Sequence, residues 1–278
     1  MIEKWREYCG GSRALAWLTL TEAAVWLAVT IVTLGGRLFH FDAGIESWLA
    51  LPSGFATFLT RPWTLLTYMA VHFDVLHMLF NVLWLYWFGR ILLTTLSDRH
   101  LLTYFIGGGV SGGVFFMCAS AMGLGGGWLC GCSAAVIAVM CGAAIRTPDH
   151  IVRLFLIGDV RLKWVAAACC ALTFLGGGGN QAAHVGGLVW GLATGLSLRY
   201  GVDLSSLAAS PLAGKFKKEK GTKQRRRNPG RMIDILEQRR QDMERLDALL
   251  DKIKTSGYGS LSRKERAELN DLSQRIKK

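Results

Sequence analysis

Long apolar stretches separated by short polar connections dominate the first 200 residues of the chain. Apolar residues make up 51% of the sequence, and several windows of about 20 residues carry no charge, which is the length that crosses a bilayer as a helix. The predicted membrane helices cover residues 14–34, 75–93, 101–122, 133–146, 164–176 and 182–198. The pattern predicts an all-α membrane protein with six crossings, which places both termini on one side.

Positive charge is distributed unevenly among the connections. Lys and Arg occur in the N-terminal stretch and in the second and fourth connections, whereas the third (122–131) and the fifth (176–183) contain none. Short connections rich in Lys and Arg stay in the cytoplasm. Both termini are therefore expected to be cytoplasmic, and the first, third and fifth connections are expected to face outward.

The first connection, residues 35–74, is long, aromatic and weakly charged. Trp48, Phe55, Phe58 and Trp63 are of the type that concentrates in the headgroup region. We expect this connection to lie sideways in the membrane interface.

Four polar side chains, His77, Asn81, Ser133 and His184, interrupt the apolar stretches. Polar groups at membrane depth are costly and usually functional. A serine and a histidine on separate helices can form a nucleophile and its base, and His77 and Asn81 share one helical face. The predicted topology brings all four to similar depth in the outer half of the bilayer. These residues predict a serine hydrolase within the membrane.

Glycine spacing supports the same arrangement. Gly187 and Gly191 form a small-xxx-small pattern that lets two membrane helices approach closely. Packing of this face on the small residues of the fourth span would bring His184 within hydrogen-bond reach of Ser133. Other glycine-rich runs indicate either hinges or loose loops, namely residues 107–113, 123–127 and 176–179.

A metal site is not predicted. His72 and His77 lack the His-Glu-x-x-His spacing, the seven cysteines include no Cys-x-x-Cys pair, and no carboxylate is expected deep in a span. For His72 the sequence leaves a structural role and a substrate-site role equally open.

At these residues the chain resembles the rhomboid family of intramembrane serine proteases, over roughly residues 13–199. The resemblance lies in a large first loop and in three motifs in the family's order. These are His-x-x-x-Asn (His77, Asn81), Gly-x-Ser (Gly131, Cys132, Ser133) and Ala-His-x-x-Gly-x-x-x-Gly (Ala183, His184, Gly187, Gly191).

The resemblance implies a six-helix bundle in the bacterial inner membrane that works without a cofactor. Ser133 would be the nucleophile and His184 its general base, while His77, Asn81 and the backbone N–H groups of Cys132 and Ser133 would form the oxyanion hole. The substrates would be membrane proteins cleaved near the outer ends of their transmembrane segments. The alternative is a pseudoprotease that binds transmembrane helices without cleaving them; retention of Ser133 and His184 favours the enzyme.

The composition changes after residue 199. Residues 200–278 hold 20 Lys and Arg against 11 Asp and Glu, which accounts for +9 of the net charge of +12. We predict a membrane domain over 1–199, a basic cytoplasmic linker over 200–231 and a helical hairpin over 232–278. The densest basic part, 215–231, suits anionic lipid headgroups. Nucleic-acid binding is not expected, because no base-reading motif accompanies the charge.

The hairpin follows from its own local signals. Apolar residues at helical spacing predict a helix over 232–254. Ser262 and Glu265 form a capping-box pattern that predicts a last helix over 263–276.

The predicted topology assigns a side of the membrane to each connection. Because the charge pattern alternates between connections, single cysteines or reporter fusions should place residue 125 outside and residues 95, 155 and 230 inside. A tail that reacts from the outside would contradict both the charge count and the six-span interpretation.

Overall fold

Each of the six predicted spans overlaps a helix, since apolar backbone must satisfy its hydrogen bonds internally. The protein was analysed as a computed structural model that describes residues 2–40, 44–154, 158–175, 181–206 and 245–276. These residues belong to two units, Met1–Gly214 and Lys215–Lys278, each of which is described by itself. The helices are Ile2–Tyr8 (α1), Arg13–Phe39 (α2), Ile45–Leu49 (α3), Phe55–Thr60 (α4), Thr64–Thr67 (α5), Val75–Leu93 (α6), Asp98–Ala121 (α7), Ser133–Arg146 (α8), Leu162–Leu175 (α9), Gln181–Arg199 (α10), 245–256 (α11) and Arg263–Ile276 (α12).

Three of these helices, α2, α6 and α7, are long and apolar enough to cross a membrane by length and composition. The helices α8 and α9 are apolar but have only 14 residues each. At 1.5 Å per residue such a helix is about 21 Å long, which is less than the hydrocarbon thickness of about 30 Å. The count of six crossings therefore stays a prediction.

The short helix α8 lies at the centre of the membrane unit. Every residue from Ala134 to Ala143 is buried, and α8 packs against α6, α7, α9 and α10. Small residues make this close packing feasible, because a Cβ added to Gly112 of α7 would lie 2.6 Å from the Cβ of Ala134. The glycine-rich run 107–113 is thus part of a helix–helix contact and is neither a hinge nor a loop.

Two short antiparallel strand pairs depart from the expected all-α class. Leu51–Pro52 (β1) pairs with Trp128–Leu129 (β2), and Ile151–Leu154 (β3) pairs with Gly158–Arg161 (β4). The first pair joins the first and third connections immediately before α8. Strands of two to four residues leave no periodic signal from which they could be predicted.

The aromatic side chains of the first connection contact one another. The rings of Trp48 and Trp63 stack with centroids 6.0 Å apart, and the Trp63 indole N–H donates to the Trp48 carbonyl at 2.9 Å. The Arg61 guanidinium lies 4.8 Å from the centre of the Trp48 ring. Trp48, Trp63 and Phe55 all remain exposed. The proposed interfacial location of this connection remains a prediction.

The second unit contains a helical pair around a small apolar core. Leu249 and Leu261 are buried, and three further apolar residues pack on them, namely Leu246, Ile253 and Leu269. The described part of the first helix, 245–256, contains the end of the predicted helix 232–254, whose residues up to 244 lie outside the described residues. The second helix has the bounds that the capping pattern predicted.

The predicted capping box of α12 is present. The Ser262 N–H donates to the Glu265 carboxylate at 2.8 Å, and the Glu265 N–H donates to the Ser262 hydroxyl at 3.3 Å. The hydrogen bond from Lys252, together with those from Ser262, lowers the pKa of Glu265 to about 2. A carboxyl group with a lowered pKa stabilises the fold at pH values above its unfolded-state pKa of 4.5. This contribution is lost as the pH falls toward the folded-state pKa of about 2.

The helices α8 and α10 approach one another at glycine. A Cβ at Gly187 would overlap the Ala134 carbonyl oxygen, and one at Gly191 would lie 2.8 Å from the Cys141 Cβ. At both positions the neighbouring atoms belong to the backbone or to a Cβ, so they have little freedom to move away. Glycine is therefore what permits backbone contact between α8 and α10.

Substitution of Gly187 tests this contact. Gly187→Ala should force α8 and α10 apart and destabilise the protein by about 1–3 kcal/mol, as overpacking does. The matched control is Gly35→Ala in α2, where an added Cβ meets no atom within 4 Å. Thermal unfolding in detergent measures both variants; equal midpoints for Gly187→Ala and the wild type would contradict the close-packing argument.

Candidate active site

Ser133 is the first residue of α8, and main-chain contacts hold the turn before it. Cys132 is the N-cap, and Gly131 has a φ of +95°, a conformation that glycine adopts without strain. The Gly131 N–H donates to the Tyr68 carbonyl oxygen at 2.9 Å. The first N–H groups of a helix have no partner within the helix, so donors and the positive end of the dipole lie beside the Ser133 hydroxyl.

Ser133 and His184 are in direct contact. The Ser133 Oγ lies 2.8 Å from the Nε2 of His184, which is in the first turn of α10. The other ring nitrogen, Nδ1, is buried and has no hydrogen-bond partner among the described residues. When Nε2 accepts the serine proton, the ring's own proton resides on Nδ1. This arrangement can move a proton from serine to imidazole without a third side chain.

The two other predicted site residues lie on α6. Asp74 caps this helix and accepts a hydrogen bond from the His77 N–H at 2.7 Å. The Asn81 side chain is buried, and its amide nitrogen donates to the His77 carbonyl oxygen at 3.0 Å. The His77 ring packs against Gly131, where an added Cβ would lie 2.6 Å from the ring carbon Cε1.

The predicted oxyanion groups thus adjoin the turn before Ser133. Contacts connect His77 to Gly131, whereas neither His77 nor Asn81 forms a side-chain hydrogen bond to Ser133 or His184 in the described part of the chain. Catalytic hydrogen bonds often form only around substrate, so the predicted role of these two residues does not require such bonds in the free protein.

A second polar group, which was not predicted, lies behind this site. Glu22, in the middle of α2, is only 3% exposed, so the expectation that no carboxylate lies deep in a span is wrong. Its carboxyl oxygen Oε2 lies 3.5 Å from the Nδ1 of the fully buried His72. A single ionisable residue within span 14–34 is a functional-site signal in itself, and that signal was overlooked.

Glu22, His72 and Cys132 each place one possible metal ligand within 4.8 Å of the others. A buried carboxylate is therefore present beside a histidine and a cysteine, so a metal site cannot be dismissed for lack of a carboxylate. However, the His72 Nε2 already faces the Asn81 amide nitrogen at 3.1 Å, so that nitrogen serves as a hydrogen-bond acceptor. Only Nδ1 of His72 is left to face Glu22.

Two family models match the chain. The model described as the Rhomboid domain matches residues 59–201, which is more than half of the chain. The model described as a family of unknown function (DUF6576) matches residues 236–275. The matched range of the Rhomboid domain contains the four predicted site residues, Ser133, His184, His77 and Asn81.

Curated relatives agree with the first match. The chain is 29% identical over 176 residues to the rhomboid protease GlpG of Yersinia pseudotuberculosis serotype I (strain IP32953). It is 28% identical over 176 residues to that of Yersinia pestis (strain Pestoides F). Each alignment covers 63% of this chain and 60% of the relative, so the chain spans less than two thirds of the length of these relatives. Together with the apolar helices, these matches show that the chain is an integral membrane protein that belongs to the rhomboid family.

Proposed function

We propose that this protein is an intramembrane serine endopeptidase in which Ser133 is the nucleophile and His184 is the general base. The observation that carries the proposal is the 2.8 Å contact between the Ser133 Oγ and the His184 Nε2. A serine hydroxyl becomes a good nucleophile only when a positioned base takes its proton. The similar proteins of Yersinia are rhomboid proteases, which supports the same reaction class.

The proposed reaction has two halves. His184 takes the Ser133 proton while Oγ attacks the peptide carbonyl, and it then returns that proton to the leaving amine as the C–N bond breaks. This step forms an acyl-enzyme ester on Ser133. Water, deprotonated by His184, hydrolyses the ester, releases the second product and restores the serine hydroxyl.

The tetrahedral intermediates require donors for their oxyanion. We assign this role to the backbone N–H groups of Cys132 and Ser133 and to the side chains of His77 and Asn81. A neutral imidazole and an amide can each donate without burying a charge, and the loss of one such donor typically costs about 2.7–4 kcal/mol in the transition state. Their position beside the turn at Gly131 supports the assignment.

The length of α8 supports a cleavage site below the membrane surface. The helix is about 21 Å long and ends at Arg146, a residue type that prefers the headgroup region. If Arg146 lies at the cytoplasmic surface, Ser133 falls roughly 9 Å short of the opposite surface of a hydrocarbon layer of about 30 Å. We therefore propose that substrates are transmembrane segments cut near their outer ends.

The location and the tail complete the proposal. We place the protein in a bacterial inner membrane with both termini in the cytoplasm, which the charge pattern and the bacterial relatives support. We also propose that the basic segment 215–231 associates with anionic lipid headgroups, at about 1 kcal/mol per charge near the surface.

The central prediction concerns the dyad. Ser133→Ala and His184→Ala should each abolish cleavage of a model transmembrane substrate, because both residues act in one proton transfer. For the same reason the double variant should lose no more than either single variant. Cleavage in detergent and labelling by a fluorophosphonate probe provide the two measurements.

Ser111→Ala is the matched control, since this serine also faces α10 but donates to the Gly186 carbonyl oxygen, at 2.9 Å. Near-wild-type turnover in Ser133→Ala or His184→Ala would eliminate the dyad. A folded wild-type protein that binds transmembrane helices, yet neither cleaves nor labels, would instead be the pseudoprotease.

The lipid proposal predicts salt-sensitive binding by the tail. A fragment of residues 205–278 should bind vesicles containing phosphatidylglycerol at low salt. It should dissociate as the Debye length shrinks to about 8 Å at physiological ionic strength. Replacing Arg225, Arg226 and Arg227 by Gln should weaken the binding. Binding that resists salt would point to insertion of an apolar helix face and contradict the electrostatic proposal.

A further inference from the structure

Glu22 is the buried ionisable group that the proposed mechanism does not use. It lies in the middle of α2, among apolar residues, and is 3% exposed. An ionisable side chain at such a depth is expensive unless a specific partner compensates for it. Its neighbours, His72 and the Cys132 side chain, both adjoin residues of the proposed oxyanion hole.

The first step of the inference is the orientation of the Asn81 amide. The atom of this amide that lies 3.0 Å from the His77 carbonyl oxygen must be a donor, because a carbonyl oxygen can only accept. This contact fixes the NH2 group on that side and rules out the flipped amide. The same NH2 group lies 3.1 Å from the His72 Nε2.

The second step is the tautomer of His72. Because Asn81 donates to Nε2, that nitrogen must be the unprotonated acceptor, and in a neutral ring the proton then resides on Nδ1. Nδ1 lies 3.5 Å from the Glu22 Oε2, and neither of these two buried atoms forms a hydrogen bond within the described part of the chain. A carboxyl oxygen can accept whether or not the group is ionised, so Glu22 presents an acceptor to the Nδ1 proton at ion-pair distance.

Glu22 also lies near the turn before Ser133. One ligand atom each of Glu22, His72 and Cys132 lie within 4.8 Å of one another, and the Cys132 Sγ lies 4.0 Å from the His72 Nε2. Cys132 is the N-cap of α8. One carboxyl group thus lies beside both sides of the proposed oxyanion hole, next to the His72 ring that contacts Asn81 and next to the side chain at the start of α8.

We propose that Glu22 is a positioning residue for the oxyanion hole, acting through His72 on the Asn81 amide and through Cys132 on the start of α8. By keeping the His72 proton on Nδ1, it keeps Nε2 as the acceptor for one Asn81 N–H group, while the other donates to the His77 carbonyl oxygen. The oxyanion then shares one of these two N–H groups. This inference rests on the proposed serine protease function. It adds a residue that never touches substrate.

The test compares two substitutions of Glu22 with a matched control on the same helix. Glu22→Met removes the acceptor and should lower kcat roughly 10–100-fold with KM little changed, because a misplaced donor acts mainly in the transition state. Glu22→Gln keeps an oxygen that can accept from Nδ1 and should restore most of kcat. Thr19→Val removes a buried polar group one turn away, which bonds to Trp5 and to its own helix and contacts none of the proposed site residues within the described part of the chain, and should leave kcat unchanged.

A spectroscopic readout separates this inference from the proposed function. In 15N-histidine-labelled full-length protein, NMR should show His72 with its proton on Nδ1 in the wild type and in Glu22→Gln. It should show a mixed or inverted tautomer in Glu22→Met. This measurement does not depend on proteolysis, so it decides the inference even if the wild type neither cleaves nor labels with fluorophosphonate. If Glu22→Met fails to fold, the His72 tautomer measured in the wild type still decides the inference.

Three results would overturn the proposal. Wild-type kcat in a folded Glu22→Met would show that the oxyanion hole does not depend on Glu22. A His72 proton on Nε2 in the wild type would contradict the proposed effect of Glu22 on Asn81 through His72. Stoichiometric zinc in the purified protein, found by elemental mass spectrometry, would make Glu22, His72 and Cys132 metal ligands instead.

Discussion

The backbone contact between α8 and α10 is the constraint on which the rest of this structure depends. The Gly187 Cα faces the Ala134 carbonyl with no room for a Cβ, and this separation lets a short serine side chain reach a histidine on the next helix. Lipid provides no hydrophobic drive for helix association, so small residues and van der Waals contact must hold the pair together. The geometry of Ser133 and His184 is therefore a consequence of packing.

The same small-residue packing has an electrostatic consequence. Because α8 is buried along its length, the polar groups near its first turn lie in a medium that screens charge poorly. Each then needs a partner within the protein. Asn81 and His72 lie 3.1 Å apart, whereas the Nδ1 of His72 and the Oε2 of Glu22 face one another at 3.5 Å without a hydrogen bond. An incompletely satisfied group among these residues is costly, which is why one substitution there is expected to affect the others.

Much of the fold could be predicted from the sequence. Helix positions follow from run length and the absence of charge, and α12 follows from the reciprocal bonds of Ser262 and Glu265, because both signals are local. Glu22 is visible in the sequence as the one charged residue of span 14–34, whereas its contact with His72 joins two segments 50 residues apart. The two strand pairs had no usable signal, because β1 and β2 join segments far apart in the chain and the hairpin of β3 and β4 has only four residues in each strand.

The sequence by itself determined that the chain enters the membrane, which residues are chemically able to act there, and which helices can approach closely through glycine. The tertiary structure alone decided that Ser133 Oγ meets His184 Nε2 across 50 intervening residues, and that the carboxyl group of α2 faces His72 behind the site. The physical reason is range. Hydropathy, capping and glycine spacing act within a few turns of one helix, whereas partner, distance and tautomer depend on which faces of separate helices pack together.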